Sequence, residues 1–183
     1  MSKVILIRYI FDMRIIDVIY ESVDDFGLIT SADARDLGVS NVELAQQARR
    51  GKLTRVARGV YQMPIWPYQP AAPYAIATKA AGRDSYLYGE SVVALLELAP
   101  TDPTRIVVAS PARVRRNIGN GVVIVGMRPA EETVFYEGIR CQQASNAIRA
   151  AMPRLGKDQM LMAAKRGYEN GYLTRAEFDE LSM

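Results

Sequence analysis

The sequence predicts an α+β chain: an N-terminal winged helix-turn-helix, then a mixed α/β C-terminal domain with short antiparallel strands and terminal helices. Three observations predict it. Two short segments with helix-capping signals lie back to back between Thr30 and Gly51, and a hairpin pattern follows them directly. After a proline-rich break the pattern changes to short apolar runs, then to helices.

In residues 11–23 the apolar Ile15, Ile16, Val18, Ile19 and Val23 recur at helical spacing, with Asp12, Arg14, Asp17 and Glu21 between them. Asp24, Asp25 and Gly27 stop this first helix. Thr30 with Asp33 forms a capping-box pattern that opens a second helix through Leu37, ended by Gly38. Ser40 with Glu43 repeats the pattern and opens a third helix to Arg50, closed by Gly51. In LTRVARGVYQ, β-favouring residues flank Arg58-Gly59, where Gly59 can take the positive φ of a tight turn. Ile15, Ile19, Leu37, Leu44 and Val56 are the expected core of this part. The segment MPIWPYQPAAP holds four prolines in eleven residues, which rules out a regular helix or ladder. The predicted organisation is therefore a winged helix-turn-helix over 1–62, a stiff connector over 63–73 and an α/β domain over 74–183.

In the later part, helices are expected over 73–81 and 91–98, and strands over 105–110 and 122–127. A type I′ turn at Asn120-Gly121 would set those strands side by side. Glu137-Gly138 splits a further strand pair, 133–136 and 139–142. Helices over 145–152, 158–170 and 175–181 close the chain, the last opened by a Thr174/Glu177 capping box.

The chain of 183 residues is 49% apolar, enough for an ordinary core, and carries a net charge of +3. Distribution says more than the total. Residues 1–39 hold four Lys/Arg against seven Asp/Glu, residues 40–62 five against one, and residues 104–128 five Arg and no acid. Basic patches on a mildly acidic body suit a protein that meets phosphates with chosen surfaces. The single cysteine, Cys141, cannot form an internal disulfide, the opening residues lack a signal-peptide pattern, and no run is long and apolar enough to span a bilayer. A cytoplasmic location without membrane attachment is expected. There is no histidine, which removes His-assisted nucleophiles, His-ligated zinc and an imidazole base. No enzyme activity, metal or cofactor is expected.

On the third helix, steps of about 100° per residue from a buried Leu44 place Ala48 beside it and Val42, Gln46, Arg49 and Arg50 on the far side. These residue types suit a major groove: Arg grips guanine with both forks, Gln does the same to adenine, and Val packs on a thymine methyl. In the hairpin, Arg55 falls on the face opposite Thr54 and Val56, with Arg58 at the tip and Lys52 just before the first strand. Arg113, Arg115 and Arg116, in the loop PARVRRNIGNG, are a second candidate phosphate site. The bland readings are solvated charges at a helix end, a soluble hairpin and a solvated loop. Asp24-Asp25 and Glu131-Glu132 read as turn residues, and Tyr86, Tyr88 and Trp66 as packing residues.

The run GLITSADARDLGVSNVELAQQARRGKLTRVARGVYQMP, Gly27 to Pro64, resembles the N-terminal domain of the AbiEi family, antitoxins of type IV toxin–antitoxin (abortive infection) systems. Gly51, Leu53, Arg55, Val56, Arg58, Gly59, Val60 and Tyr61 match its Gly-x-Leu-x-Arg-Val-x-Arg-Gly-Val-Tyr pattern. DSYLYGESVVALLEL, RIVVASPARVRR and EGIRCQQASNAIRAAM resemble later segments of the family. Two departures stand out: the later half is short, and Tyr86 to Tyr88 replace more polar residues. The resemblance implies a repressor that binds inverted repeats upstream of its own operon, an antitoxin function in the later half, and a link to a nucleotidyltransferase-like toxin. Two other readings are a winged-helix scaffold that contacts protein instead of DNA, and a small nuclease. The first calls for an acidic or apolar far side on the third helix, the second for a carboxylate cluster beside a lysine.

Overall fold

The computed structural model describes residues 14–102, 104–115, 117–119, 121–126 and 132–183. The chain divides into two compact units, one ending at Ala72 and the other spanning Pro73–Met183.

In the first unit, helical residues 14–20 (α1) lead through a turn into strand β1 (Leu28–Thr30), helix α2 (Ser31–Asp36), helix α3 (Asn41–Arg49) and a hairpin of β2 (Thr54–Ala57) and β3 (Val60–Gln62). Phe11, where the first helix was expected to begin, lies outside the described residues. The turn after α1 is built by Asp24, whose Oδ1 accepts the backbone N–H of Phe26 at 3.0 Å and of Leu28 at 2.9 Å. Strand β1, which periodicity does not reveal, pairs antiparallel with β3, Ile29 opposite Tyr61, giving a three-stranded sheet of order β1-β3-β2. Both helices open with the capping boxes expected at Thr30 and Ser40.

Ile15, Ile19, Ile29, Ala34, Val39, Leu44, Leu53 and Tyr61 form the core of this unit. Two expected core members differ. Leu37 is 42% exposed because it is the C-cap of α2, beyond the helix's inward stripe, and Ala34 and Val39 fill the place. Val56 is half-buried, at the point where the β2–β3 ladder slips between Arg55 and Ala57.

The proline-rich stretch has neither helix nor strand between Met63 and Ala71, yet it is not a free spacer. It is strapped to its own unit. Met63 N–H donates to Gly27 O at 3.0 Å, Trp66 Nε1 donates to Asp25 O at 2.9 Å, and Gln69 Nε2 donates to the same carbonyl.

The second unit contains α4 (Ala72–Ala81), β4 (Tyr86–Leu87), α5 (Glu90–Leu95), β5 (Ile106–Ser110), β6 (Val122–Gly126), β7 (Thr133–Tyr136), β8 (Ile139–Gln142), α6 (Ala144–Glu169) and α7 (Arg175–Ser182). Its sheet has the order β6-β5-β4-β8-β7. The expectation of antiparallel strands holds for β4 with β5 and β7 with β8 and is corrected for β5 with β6, which run parallel, as do β4 and β8. Strands β5 and β6 are neighbours, but not through a hairpin, since parallel strands need a connection that returns along their whole length. Gly121 serves a close approach instead: its carbonyl accepts Ile106 N–H at 2.9 Å, and a Cβ there would collide with the Thr104 carbonyl. Asn120, Arg116 and Met127 lie outside the described residues. Helix α6 is interrupted at Gly156 (φ 78, ψ 168), between the two helices expected from sequence. Helix α6 packs on α5 and α7.

Candidate nucleic-acid interface

Helix α3 is set by its N-terminal cap. Ser40 Oγ accepts Glu43 N–H at 3.3 Å, and Glu43 Oε2 accepts the backbone N–H and hydroxyl of Ser40 at 2.7 Å each. The Ser40 hydroxyl first, and its backbone N–H second, hold the Glu43 carboxyl below its usual range. Leu44 is fully buried, Gln47 is 2% exposed, and Ala48 packs against the core. That fixes the helix's rotation. Val42 is then 66% exposed, Arg49 and Arg50 are exposed, and Gln46 is half-buried at the edge of the outward side.

Lys52 and Arg55 are exposed, and so is Arg58, at the turn where Gly59 takes φ 76. The expected alternation in β2 is blurred: Thr54 and Arg55 are both exposed, because β2 is an edge strand and its ladder slips at Val56. Val42, Gln46, Arg49, Arg50, Lys52, Arg55 and Arg58 thus sit on successive elements of one unit. Arg113 and Arg115 are exposed in the stretch between β5 and β6, in the other unit. Arg116 lies outside the described residues.

Two polar features escape the sequence reading. Gln47 is one helical step of three from Leu44, so the periodicity that found Leu44 also points to it. Glu90, 7% exposed at the start of α5, receives Arg105 Nε on one carboxylate oxygen and Arg154 Nε on the other, each at 3.0 Å. No local signal links three residues from such distant parts of the chain. A buried carboxylate held by two guanidinium groups joins α5, the residue just before β5 and α6 in one clamp.

Among the described residues no group of three or more His, Cys, Asp or Glu could hold a metal ion. Asp24 is committed to its turn, and burial pushes the Cys141 thiol up to about 12, far from a reactive thiolate. Glu131 lies outside the described residues. No helix among them is long and apolar enough to cross a membrane.

Residues 17–64 match a family model described as transcriptional regulator, AbiEi antitoxin. Over this segment the chain is similar to the AbiEi family. The matched segment takes in β1, α2, α3 and the β2–β3 hairpin whole, so all seven candidates of the first group fall within it. Arg113 and Arg115 fall outside. No curated protein matches the chain.

Proposed function

We propose that the matched segment is a winged helix-turn-helix that binds duplex DNA, in a repressor that autoregulates its operon and acts as the antitoxin of a type IV toxin–antitoxin system. The observation that carries this reading is the exposed basic run of α3 and its hairpin. With Leu44 and Gln47 buried, Val42, Arg49 and Arg50 are left outward, followed by Lys52, Arg55 and Arg58. In this reading Val42, Gln46 and Arg49 meet base edges, while Arg50, Lys52, Arg55 and Arg58 meet phosphates. Arg113, Arg115 and Arg116 add phosphate contacts from the later half. The operator is an inverted repeat, the toxin linked to it is nucleotidyltransferase-like, and the protein works in the cytoplasm without a cofactor. DNA reading belongs to residues 1–62 and toxin neutralisation to 74–183.

Titration with the duplex upstream of the protein's own reading frame tests this. Four phosphate contacts from the first group give a log–log salt slope of about −3.6, and the three arginines of the later half would steepen it towards about −6. A slope close to zero would remove the basic run from the DNA.

A further inference from the structure

Between Arg58 and Lys79 the chain has no charged residue, and this neutral stretch contains the strap. Pro64, Pro67 and Pro70 fix their own φ and restrict the residues before them, so the strap has little freedom to lose. Its two edges differ. Trp66 and Gln69, three apart, turn inward and share the Asp25 carbonyl. Ile65 and Tyr68, also three apart, are 92% and 90% exposed. Tyr20, 60% exposed, meets the edge of Trp66 with ring centroids 6.4 Å apart and extends the apolar surface onto α1.

We infer that Tyr20, Ile65 and Tyr68 form a self-association surface, packing on the same residues of a second copy across a two-fold axis. Side chains of this size offer roughly 150–200 Å² each, so two copies bury on the order of 1,000 Å², the size at which an interface becomes specific. An exposed apolar patch of several hundred Å² on one chain marks an interaction surface. Charge selects the occupant. The strap itself carries no charge and the exposed acids beside it, Glu21 and Asp25, repel the DNA polyanion, whereas the α3 and hairpin surface is cationic and repels a second copy. An isologous contact between rigid aromatic and aliphatic groups also costs little ordering, because Trp66, Gln69 and the prolines hold them in place beforehand. For its purpose, pairing two reading heads on two half-sites, the inference rests on the DNA-binding proposal. Its chemistry does not.

Sedimentation equilibrium of the full chain tests it. We expect the 20.3 kDa chain to populate a dimer in the micromolar range. Ile65→Ser with Tyr68→Ser should weaken the dimer about tenfold or more at an unchanged melting temperature. Arg55→Glu, on the hairpin, should leave it intact. A wild-type chain that stays monomeric would overturn the inference, as would a dimer indifferent to the double substitution or weakened equally by Arg55→Glu. The double variant should still bind a half-site duplex with the same salt slope while losing cooperative binding to two half-sites. A dimer that meets these tests yet binds no duplex would sink the DNA reading alone.

Discussion

Val42, Gln46, Arg49 and Lys52 are close in sequence but differ in what they present. Arg49 offers two parallel donors from a helix whose rotation is set by Leu44 and Gln47, while Lys52 is a point charge on the loop that follows. We therefore expect Gln46→Ala and Arg49→Ala to lose discrimination between operator and scrambled duplex, at about 1–3 kcal/mol per base contact. Lys52→Ala should weaken both duplexes alike. Competition titrations check this, and equal losses for all three variants would contradict the division. Gly27 raises a different single-residue question. It holds φ 68, and a Cβ there would fall inside the Trp66 indole. Gly27→Ala should cost about 2 kcal/mol, from positive φ and displaced packing together. Much of that should vanish in a Trp66→Ala background, which a denaturation cycle measures.

Among elements, α3 depends most visibly on one cap. Ser40→Ala removes the acceptor for Glu43 N–H and should destabilise the protein by about 1 kcal/mol at neutral pH. The carboxyl of Glu43 is held low in the folded protein by Ser40. Its contribution is therefore present above the ordinary carboxylate range and lost as pH falls through the lower folded value. Glu177 in the cap of α7 is lowered too, chiefly by the Thr174 backbone N–H, and acts in the same sense. Urea denaturation at pH 7 and pH 3 should show a smaller loss on acidification for Ser40→Ala than for the wild type. An undiminished acid loss in the variant would mean that Glu43 carries none of it.

For the whole molecule, the strap decides where the chain can be cut. A fragment ending at Pro64 leaves the Asp25 carbonyl without Trp66 and Gln69 and uncovers the Tyr20 ring. A fragment ending at Ala72 keeps all three contacts. We expect the longer fragment to be more stable by about 2 kcal/mol or more and to bind operator DNA. Residues 73–183 expressed alone should keep whatever protection the full chain gives against the proposed nucleotidyltransferase-like toxin, read as colony growth on co-expression. Rescue by the 1–72 fragment and none by 73–183 would reverse that division of labour.

The parts legible in the sequence are those whose physics is local. The boxes at Thr30/Asp33, Ser40/Glu43 and Thr174/Glu177 stand as expected, because a hydroxyl and a carboxylate three residues apart satisfy free N–H groups of their own helix end. The β2–β3 hairpin and the β7–β8 pair follow from turn residues between β-favouring runs, and the break in α6, at Gly156, falls between the two helices expected from sequence. The outward position of Val42, Arg49 and Arg50 follows from helical periodicity once Leu44 is buried. Other features needed the tertiary structure. Strands β1 and β4 are too short for a period-2 signal and exist because β3, β5 and β8 offer them partners. The parallel pairing of β5 with β6, the Glu90 clamp and the docking of Trp66 on Asp25 each join residues far apart in the chain. Composition marks the strap as stiff and uncharged, but which edge faces water depends on a carbonyl some forty residues earlier. Local chemistry sets caps, turns and periods; which surfaces those elements bury is settled only when distant segments compete for the same contacts.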